Sequence, residues 1–396
     1  MNEIIIKEPM TEWKEYKLGE IGTVITGKTP SARNPEDWGD EILFVTPSDY
    51  RNYGKYANNS ERKLSNIGAK RLLNKMLPPK SILVTCIGSD MGKVVMSKKN
   101  CITNQQINAL IPNKQFDNDF LYYSLISIYD TLRIMGGDGT AVPIVNKGDF
   151  EKIVLSIPPL DEQRRISSIL SSLDDKIDLL HRENATLEQM AETLFRQWFV
   201  VEAKEEWEEG TVADLVEFNP TRKLVKGTIA PFLEMSNLST STYAPTYWYN
   251  RAFSSGSKFQ NGDTLLARIT PCLENGKTAY VDFLNENQVG WGSTEFIVMH
   301  SKLGIHSFFS YVIAKYQDFR DYAESCMSGS SGRQRVDVDN LKNYPINIPD
   351  KTAIAYFNSE IDTMVSKMNN NNKQIQTLIQ TRNGLLPRLM SGEVKL

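Results

Sequence analysis

The sequence predicts an α+β protein built from two similar domains, each followed by a long helix. Three observations carry this: the chain repeats itself at an offset of roughly 190 positions, its strand-like segments are short and β-branched, and two stretches carry heptads of apolar residues. The repeat is visible in four pairs of strings that occur in the same order. Glu12-Trp13-Lys14-Glu15 returns as Glu206-Trp207-Glu208-Glu209, and Lys80-Ser81-Ile82-Leu83-Val84-Thr85 with Gly92-Lys93 returns as Gly262-Asp263-Thr264-Leu265-Leu266-Ala267 with Gly276-Lys277. Phe120-Leu121-Tyr122-Tyr123 pairs with Phe308-Phe309-Ser310-Tyr311, and Ile157-Pro158 with Ile348-Pro349. One such pair would be noise; four in order indicate a duplicated unit.

In the first copy, alternating β-branched segments at 21–26, 42–46, 81–87, 94–96 and 106–111 are separated by Gly, Pro and Asn turns. A helix is expected at 118–134, amphipathic through Phe120, Leu121, Leu125, Ile128 and Leu132. A Gly-rich loop, Gly136-Gly137-Asp138-Gly139-Thr140, and a last strand near 152–157 follow. The second copy places its own loop at Ser328-Gly329-Ser330-Ser331-Gly332. Pro158-Pro159 stops the first copy, and Asp161 is the expected N-cap of a long helix with Glu162 in its first turn. From there Ile166, Leu170, Leu173, Ile177, Leu180, Asn184, Leu187, Ala191, Leu194 and Trp198 fit an a/d seam with one polar exception. The second seam, at the same phase, runs through Ile354, Asn358, Ile361, Val365, Met368, Asn372, Ile375, Ile379, Arg382 and Leu386. The expected division is therefore a first domain at 1–160, a central helix at 161–202, a second domain at 203–349 and a C-terminal helix at 350–396.

Asn184 and Asn372 fall at the same seam position, close to the middle of each helix. If the helices pack antiparallel about a pseudo-two-fold axis, the two amides meet, fixing alignment at a cost in stability that two leucines would relieve. The alternative is that both amides point at solvent.

Charge and cysteine content narrow the function. The 396 residues carry a formal charge of −3, yet residues 51–100 hold eleven Lys/Arg (Arg51 and Lys55 through Lys99) against two acids, Glu61 and Asp90. A block this one-sided in an acidic chain points to a polyanion. The run of Glu202, Glu205, Glu206, Glu208 and Glu209 marks an acidic junction kept from it. Four scattered cysteines and three histidines argue against a disulfide framework or a metal site. No apolar run reaches the length of a membrane span and the N-terminus does not read as a secretory signal, so a cytoplasmic protein is expected.

Catalytic motifs do not assemble. Gly22-Thr23-Val24-Ile25-Thr26-Gly27-Lys28-Thr29 matches GxxxxGKT, but Pro30 and Pro35 forbid the helix whose N-terminus would cradle a phosphate. Asn219-Pro220-Thr221-Arg222 lacks the second proline and the aromatic ring of an adenine methyltransferase motif, and no nuclease, triad or metal-ligand set converges. No catalytic residue, bound cofactor or metal is expected.

The pattern resembles the specificity subunit of type I restriction–modification systems over almost the whole chain. The resemblance rests on Gly27-Lys28-Thr29-Pro30-Ser31, on the stretch from Trp38 to Asp49, on Thr103-Asn104-Gln105-Gln106, on Ile157-Pro158-Pro159-Leu160-Asp161-Glu162-Gln163, and on the closing Gly384-Leu385-Leu386-Pro387-Arg388-Leu389-Met390-Ser391-Gly392. The second copy departs from it, since Ile348-Pro349-Asp350-Lys351-Thr352-Ala353 lacks the Pro-Pro and Glu-Gln. The resemblance implies two target-recognition domains reading a bipartite duplex target. It also implies two methyltransferase subunits using S-adenosylmethionine, and a translocase–nuclease as a further partner. A helix of about 33 residues, roughly 50 Å, would set the spacing of the half-sites. The alternative from another class is a stand-alone DNA-binding regulator. Apolar residues outside the seam, Ile169, Leu179, Phe195 and Phe199, favour a scaffold.

The candidate DNA-binding residues mix phosphate ligands with base-edge readers. In the first domain they are Lys28, Thr46, Ser48, Asp49, Tyr50, Arg51, Tyr53, Lys55, Lys93 and Gln105. In the second they are Asn237, Tyr247, Arg268, Lys277, Arg333, Gln334 and Arg335. The Asn104–Gln106 amides suit adenine but could equally close a turn, and the aromatic cluster around Tyr243, Tyr247 and Trp248 could equally be a core edge.

Overall fold

The computed structural model describes residues 13–52, 54–137, 143–240, 242–245, 247–330, 332–394 and 396. Residues 1–12, Tyr53, the side chain of Arg51, Ser331 and positions 138–140 of the first Gly-rich loop lie outside the described residues. The chain divides into two compact units. One comprises residues 1–178 with 376–396, the other residues 179–375. Each unit is thus a domain together with one stretch of each long helix.

In the first unit a five-stranded sheet takes the order Gly22–Thr26, Ile107–Pro112, Ile82–Thr85, Val94–Ser97, Tyr56–Ala57. Its first four strands are antiparallel neighbours, with Ala109 opposite both Ile25 and Leu83. A second sheet orders Trp38–Gly39, Arg62–Leu64, Ile42–Val45 and Cys101–Thr103. Alternation decides what each face buries: Leu83, Val95, Ile107 and Ala109 meet Leu43, Val45 and Leu77, while Ile82, Val84, Met96 and Leu110 meet Phe120, Leu121, Tyr123 and Leu125. The predicted helix at 118–134 is two helices, Asn118–Ser127 and Tyr129–Met135, divided at Ile128. Asp117 caps the first through Phe120 N–H at 2.8 Å.

The second unit repeats the plan. Val216–Phe218, Phe296–Ser301, Asp263–Ala267 and Thr278–Tyr280 take the same order as the first four strands above. A second sheet orders Tyr249–Ala252, Ile229–Leu233, Gly290–Gly292 and Ser257–Phe259. Each domain is closed by an antiparallel pair of its first and last strands: Lys14–Lys17 with Val154–Ile157, and Glu208–Thr211 with Pro345–Ile348. Duplication read from four short strings is therefore duplication of topology.

The central helix, Leu160–Arg196, continues as a π-turn through Gln197–Val201. The C-terminal helix is Lys351–Met390. Asp161 is not the cap; it stands in the first turn, and Pro159 O takes the N–H groups of Glu162 and Gln163. Gln163 secures this start, donating to Pro158 O (2.8 Å) and accepting from Asp117 N–H (2.9 Å). The C-terminal helix is capped by Asp350, which accepts from Ala353 N–H at 2.8 Å and from Trp207 Nε1 at 3.2 Å.

Within each unit the two helical stretches run antiparallel. In the first, Asp174 pairs with Arg382 at 2.7 Å. In the second, Asn184 Nδ2 donates to Asn372 Oδ1 at 3.0 Å. The buried positions of the C-terminal helix are Phe357, Ile361, Met364, Val365, Met368, Asn371, Ile375 and Leu389, with Asn372 half-buried. The second seam is therefore phased one residue earlier at alternate positions than a fixed offset predicts, and Asn371 is the fully buried amide. It donates to Asn184 Oδ1 (2.9 Å) and Glu183 Oε2 (3.0 Å), while Asn372 donates to Tyr243 Oη (2.6 Å). Since these amides hold one another and a tyrosine, leucines at 184 and 372 would take one hydrogen-bond partner each from Asn371 and Tyr243 instead of relieving strain.

Candidate nucleic-acid interface

In the first domain the ends of four strands bring five loops to one edge. The backbone makes the assembly. Lys28 N–H donates to Thr103 O (2.8 Å), Asn104 N–H to Val45 O (3.2 Å), Cys86 N–H to Gln106 O (2.7 Å) and Val145 N–H to Cys86 O (2.9 Å). Gly27 is required here, because a Cβ would lie 2.2 Å from the carbonyl oxygens of Thr103 and Asn104. The GKT segment is thus a strap across the 103–106 turn. No helix starts at it, as the prolines foretold.

Lys28, Ser48, Lys93 and Gln105 are exposed and Thr46 is half-buried. Gln105 Oε1 accepts from Thr29 Oγ1 (2.8 Å), and Lys93 pairs with Asp90 (2.6 Å). Asn104 Nδ2 donates to Gln106 Oε1 (2.8 Å). Thr46 Oγ1 shares a hydrogen bond with Ser48 Oγ.

Three residues expected at the DNA surface belong to the interior instead. Asp49 is a local cap, accepting from Thr46 N–H and Glu61 N–H, both at 2.8 Å. Tyr50 is buried and donates to Leu83 O (3.1 Å). Lys55 is 7% exposed, with Nζ 2.5 Å from Asp119 Oδ1, 2.7 Å from Ser171 Oγ and 4.9 Å from the Tyr123 ring centre. A positive charge in a basic run reads as a phosphate ligand, and nothing in the local sequence announces the carboxylate 64 positions later that claims it.

The second domain builds a matching edge with two of the same backbone bonds. Arg268 N–H donates to Glu295 O (3.0 Å) and Val336 N–H to Arg268 O (2.9 Å), matching the bonds at Cys86, Gln106 and Val145. The isolated bridge Ile87–Ile144 has its counterpart in Ile269–Arg335. Cys86, Gln106 and Ile144 therefore correspond to Arg268, Glu295 and Arg335.

Arg335 holds Glu295 through Nε at 2.9 and 3.0 Å and through Nη2 at 2.7 Å, and Arg268 Nε lies 3.5 Å from the same carboxylate. The Arg335 hydrogen bonds hold the Glu295 carboxyl below the usual range. Sequence reasoning missed Glu295, because an acid between strands does not suggest a DNA face; its counterpart Gln106 was the available clue. Lys277 is committed, donating to Met235 O (2.9 Å). Asn237 Oδ1 accepts from Glu234 N–H (2.9 Å). Tyr247 is 60% exposed and stacks on Tyr249, with ring centres 6.0 Å apart. Arg333 is exposed and Gln334 half-buried, its carbonyl accepting from Thr270 N–H (3.1 Å). Tyr243 is core, 1% exposed.

Comparison with known proteins agrees with this duplicated plan. The family model of the type I restriction modification DNA specificity domain matches twice, over residues 10–189 and 204–380. The chain is 25% identical over 418 aligned residues to the type I restriction enzyme MjaIX specificity subunit of Methanocaldococcus jannaschii, covering 97% of this chain and 94% of that one. It is 37% identical over 148 residues to the HindI specificity subunit of Haemophilus influenzae, covering 37% and 32%. The crystal structure of a type I restriction–modification S subunit from M. genitalium has the same fold, with a TM-score of 0.54 at 16% identity and 97% of both chains covered. Two matched copies of one model, spanning nearly the whole chain, place this protein in the family of type I restriction–modification DNA specificity subunits.

Proposed function

We propose that the chain is the non-catalytic DNA-reading subunit of a type I complex, and that each domain reads one half of a bipartite duplex target through its loop-bearing edge. It holds two modification subunits, which methylate adenine with S-adenosylmethionine bound to them and not to this chain, and it can admit a restriction–translocase subunit. The assembly works in the cytoplasm. The observation that carries this reading is the pair of equivalent edges, built by matching backbone bonds but furnished with different side chains. A shared frame with unlike side chains is what two readings of unlike sequence require.

Ile169 and Leu179 remain exposed large apolar side chains on the central helix, and each is available to a partner subunit. Phe195 and Phe199, also read as scaffold surface, belong to the second domain's core against Phe309 and Phe357. Among the described residues no helix is long and apolar enough to cross a membrane.

The test is a genome-wide map of N6-methyladenine in a methylation-free host expressing this chain with the modification subunit of its own operon. The expected result is a single two-part motif with a fixed spacer, absent when this chain is omitted. A soluble complex that leaves no methylation would overturn the reading in favour of a regulator.

A further inference from the structure

The Arg268–Glu295–Arg335 cluster has no counterpart in the first domain, where Cys86, Gln106 and Ile144 occupy the same places in the frame. Its members are fixed at the backbone. Arg335 opens the short strand Arg335–Val336, which pairs with Met327–Ser328 and bridges Ile269. Glu295 is held by Arg268 N–H on its carbonyl, and its own N–H donates to Ser293 Oγ (3.1 Å). Arg333, two residues earlier, is exposed, and its N–H donates to Ser330 O at 3.0 Å.

The carboxylate takes the Nε–Nη2 edge of the Arg335 guanidinium. The Nη1–Nη2 edge is left, and Nη1 has no hydrogen-bond partner among the described residues. The side chain is 43% exposed. A guanidinium gripped along one edge presents two parallel donors along the other, the pattern that the O6 and N7 acceptors of guanine accept in the major groove. Phosphate is the competing acceptor, and Glu295 weakens its claim: the carboxylate offsets one of the two arginine charges, which lowers the cluster's pull on an anion but leaves the paired donors that a neutral guanine edge accepts. Beside it, Thr270 Oγ1 is buried and has no hydrogen-bond partner among the described residues.

We infer that Arg335 reads the guanine of a G·C pair in the half-site of the second domain, and that Glu295 is the positioning residue that aims it. This rests on the reading of the loop-bearing edge as the DNA face. The first domain lacks the cluster, so the two halves of the target differ at the corresponding place.

The experiment uses the full chain in complex with its modification subunits and selects bound duplexes from a randomised pool. The wild-type chain is expected to return a two-part motif with a fixed guanine in one half. Arg335→Gln should lower the preference at that one base pair by about ten- to a hundredfold and leave the other half-site unchanged. Glu295→Gln should weaken the same preference by a smaller factor, and Arg335→Lys should not restore it. Recovery of no motif by the wild-type chain would defeat the broader reading of the edge. A motif that persists in Arg335→Gln with uniformly weaker, less salt-sensitive binding would make Arg335 a phosphate ligand and overturn the inference, as would an unchanged motif and affinity. Lys302→Gln, exposed and just past the end of the strand Phe296–Ser301 that lies away from Glu295, serves as the folded comparison and is expected to keep the guanine.

Discussion

The ammonium of Lys55 lies against Asp119, Ser171 and the rings of Tyr56, Tyr122 and Tyr123, and Tyr123 in turn donates to Asp174 at 2.6 Å. Removing Lys55 leaves the partly buried Asp119 with only the exposed Lys80, 3.2 Å away, at a cost approaching the about 3–5 kcal/mol of a broken buried pair. Lys55→Ala is therefore expected to lower the urea midpoint of the full chain markedly, while the salt dependence of DNA binding by the folded fraction stays as in the wild type. A phosphate ligand would behave in the opposite way.

Glu188 offers a second measurement at this scale. Burial pushes its carboxyl up to about 7, against hydrogen bonds from Tyr243 N–H and Tyr311 Oη and the nearby Lys315, with Glu192 adding to the upward shift. Burial likewise raises Asp282 to about 6. Groups raised above their unfolded values make folding most favourable below those values, and that stability is lost as pH rises through the folded ones. Thermal stability should thus fall between about pH 5 and pH 8, and Glu188→Gln should flatten the decline; a profile unaffected by that substitution would contradict the assignment. At the residue scale the sequence was least legible. Lys28, Gln105 and Arg335 reach the surface as their types suggest, but Asp49, Tyr50 and Lys55 do not, because distant partners decide burial and local chemistry does not reveal them.

At the scale of elements, periodicity carried further. The strand segments, the domain-closing strand and both long helices were readable because alternation and heptads are imposed by one buried face. What escaped was phase. Projecting one seam onto the other by a constant offset rightly paired Asn372 with Asn184 but made it the core amide, whereas helix packing buries Asn371 and leaves Asn372 half-buried, reaching Tyr243 as well. The Asn184→Leu substitution leaves the Asn371 and Asn372 amides short of a partner, each worth about 1–3 kcal/mol. We expect a lower melting temperature, with the far-ultraviolet helical signal of the folded state unchanged. A higher melting temperature would mean that the amide cluster is replaceable by apolar packing.

At the scale of the molecule, the central and C-terminal helices each begin in one compact unit and end in the other. Seven residues added to both helices at matching seam positions extend each by about 10 Å, close to three base pairs of duplex. The methylation motif of such a variant should keep both halves and gain about three unread positions between them. An unchanged spacer would separate the helices from the choice of half-site spacing.

The matching bonds of Cys86, Gln106 and Val145 and of Arg268, Glu295 and Val336 are all between main-chain atoms. Such bonds are indifferent to what the side chains are. The fold consequently makes few demands on the outward-facing residues at either edge; if the edges are the reading faces, as proposed, substitutions there change the address that is read while the domain goes on folding as before. Because each edge is framed by its own bonds, one address can drift while the other stays fixed, so a lineage can acquire a new target by altering half of the old one.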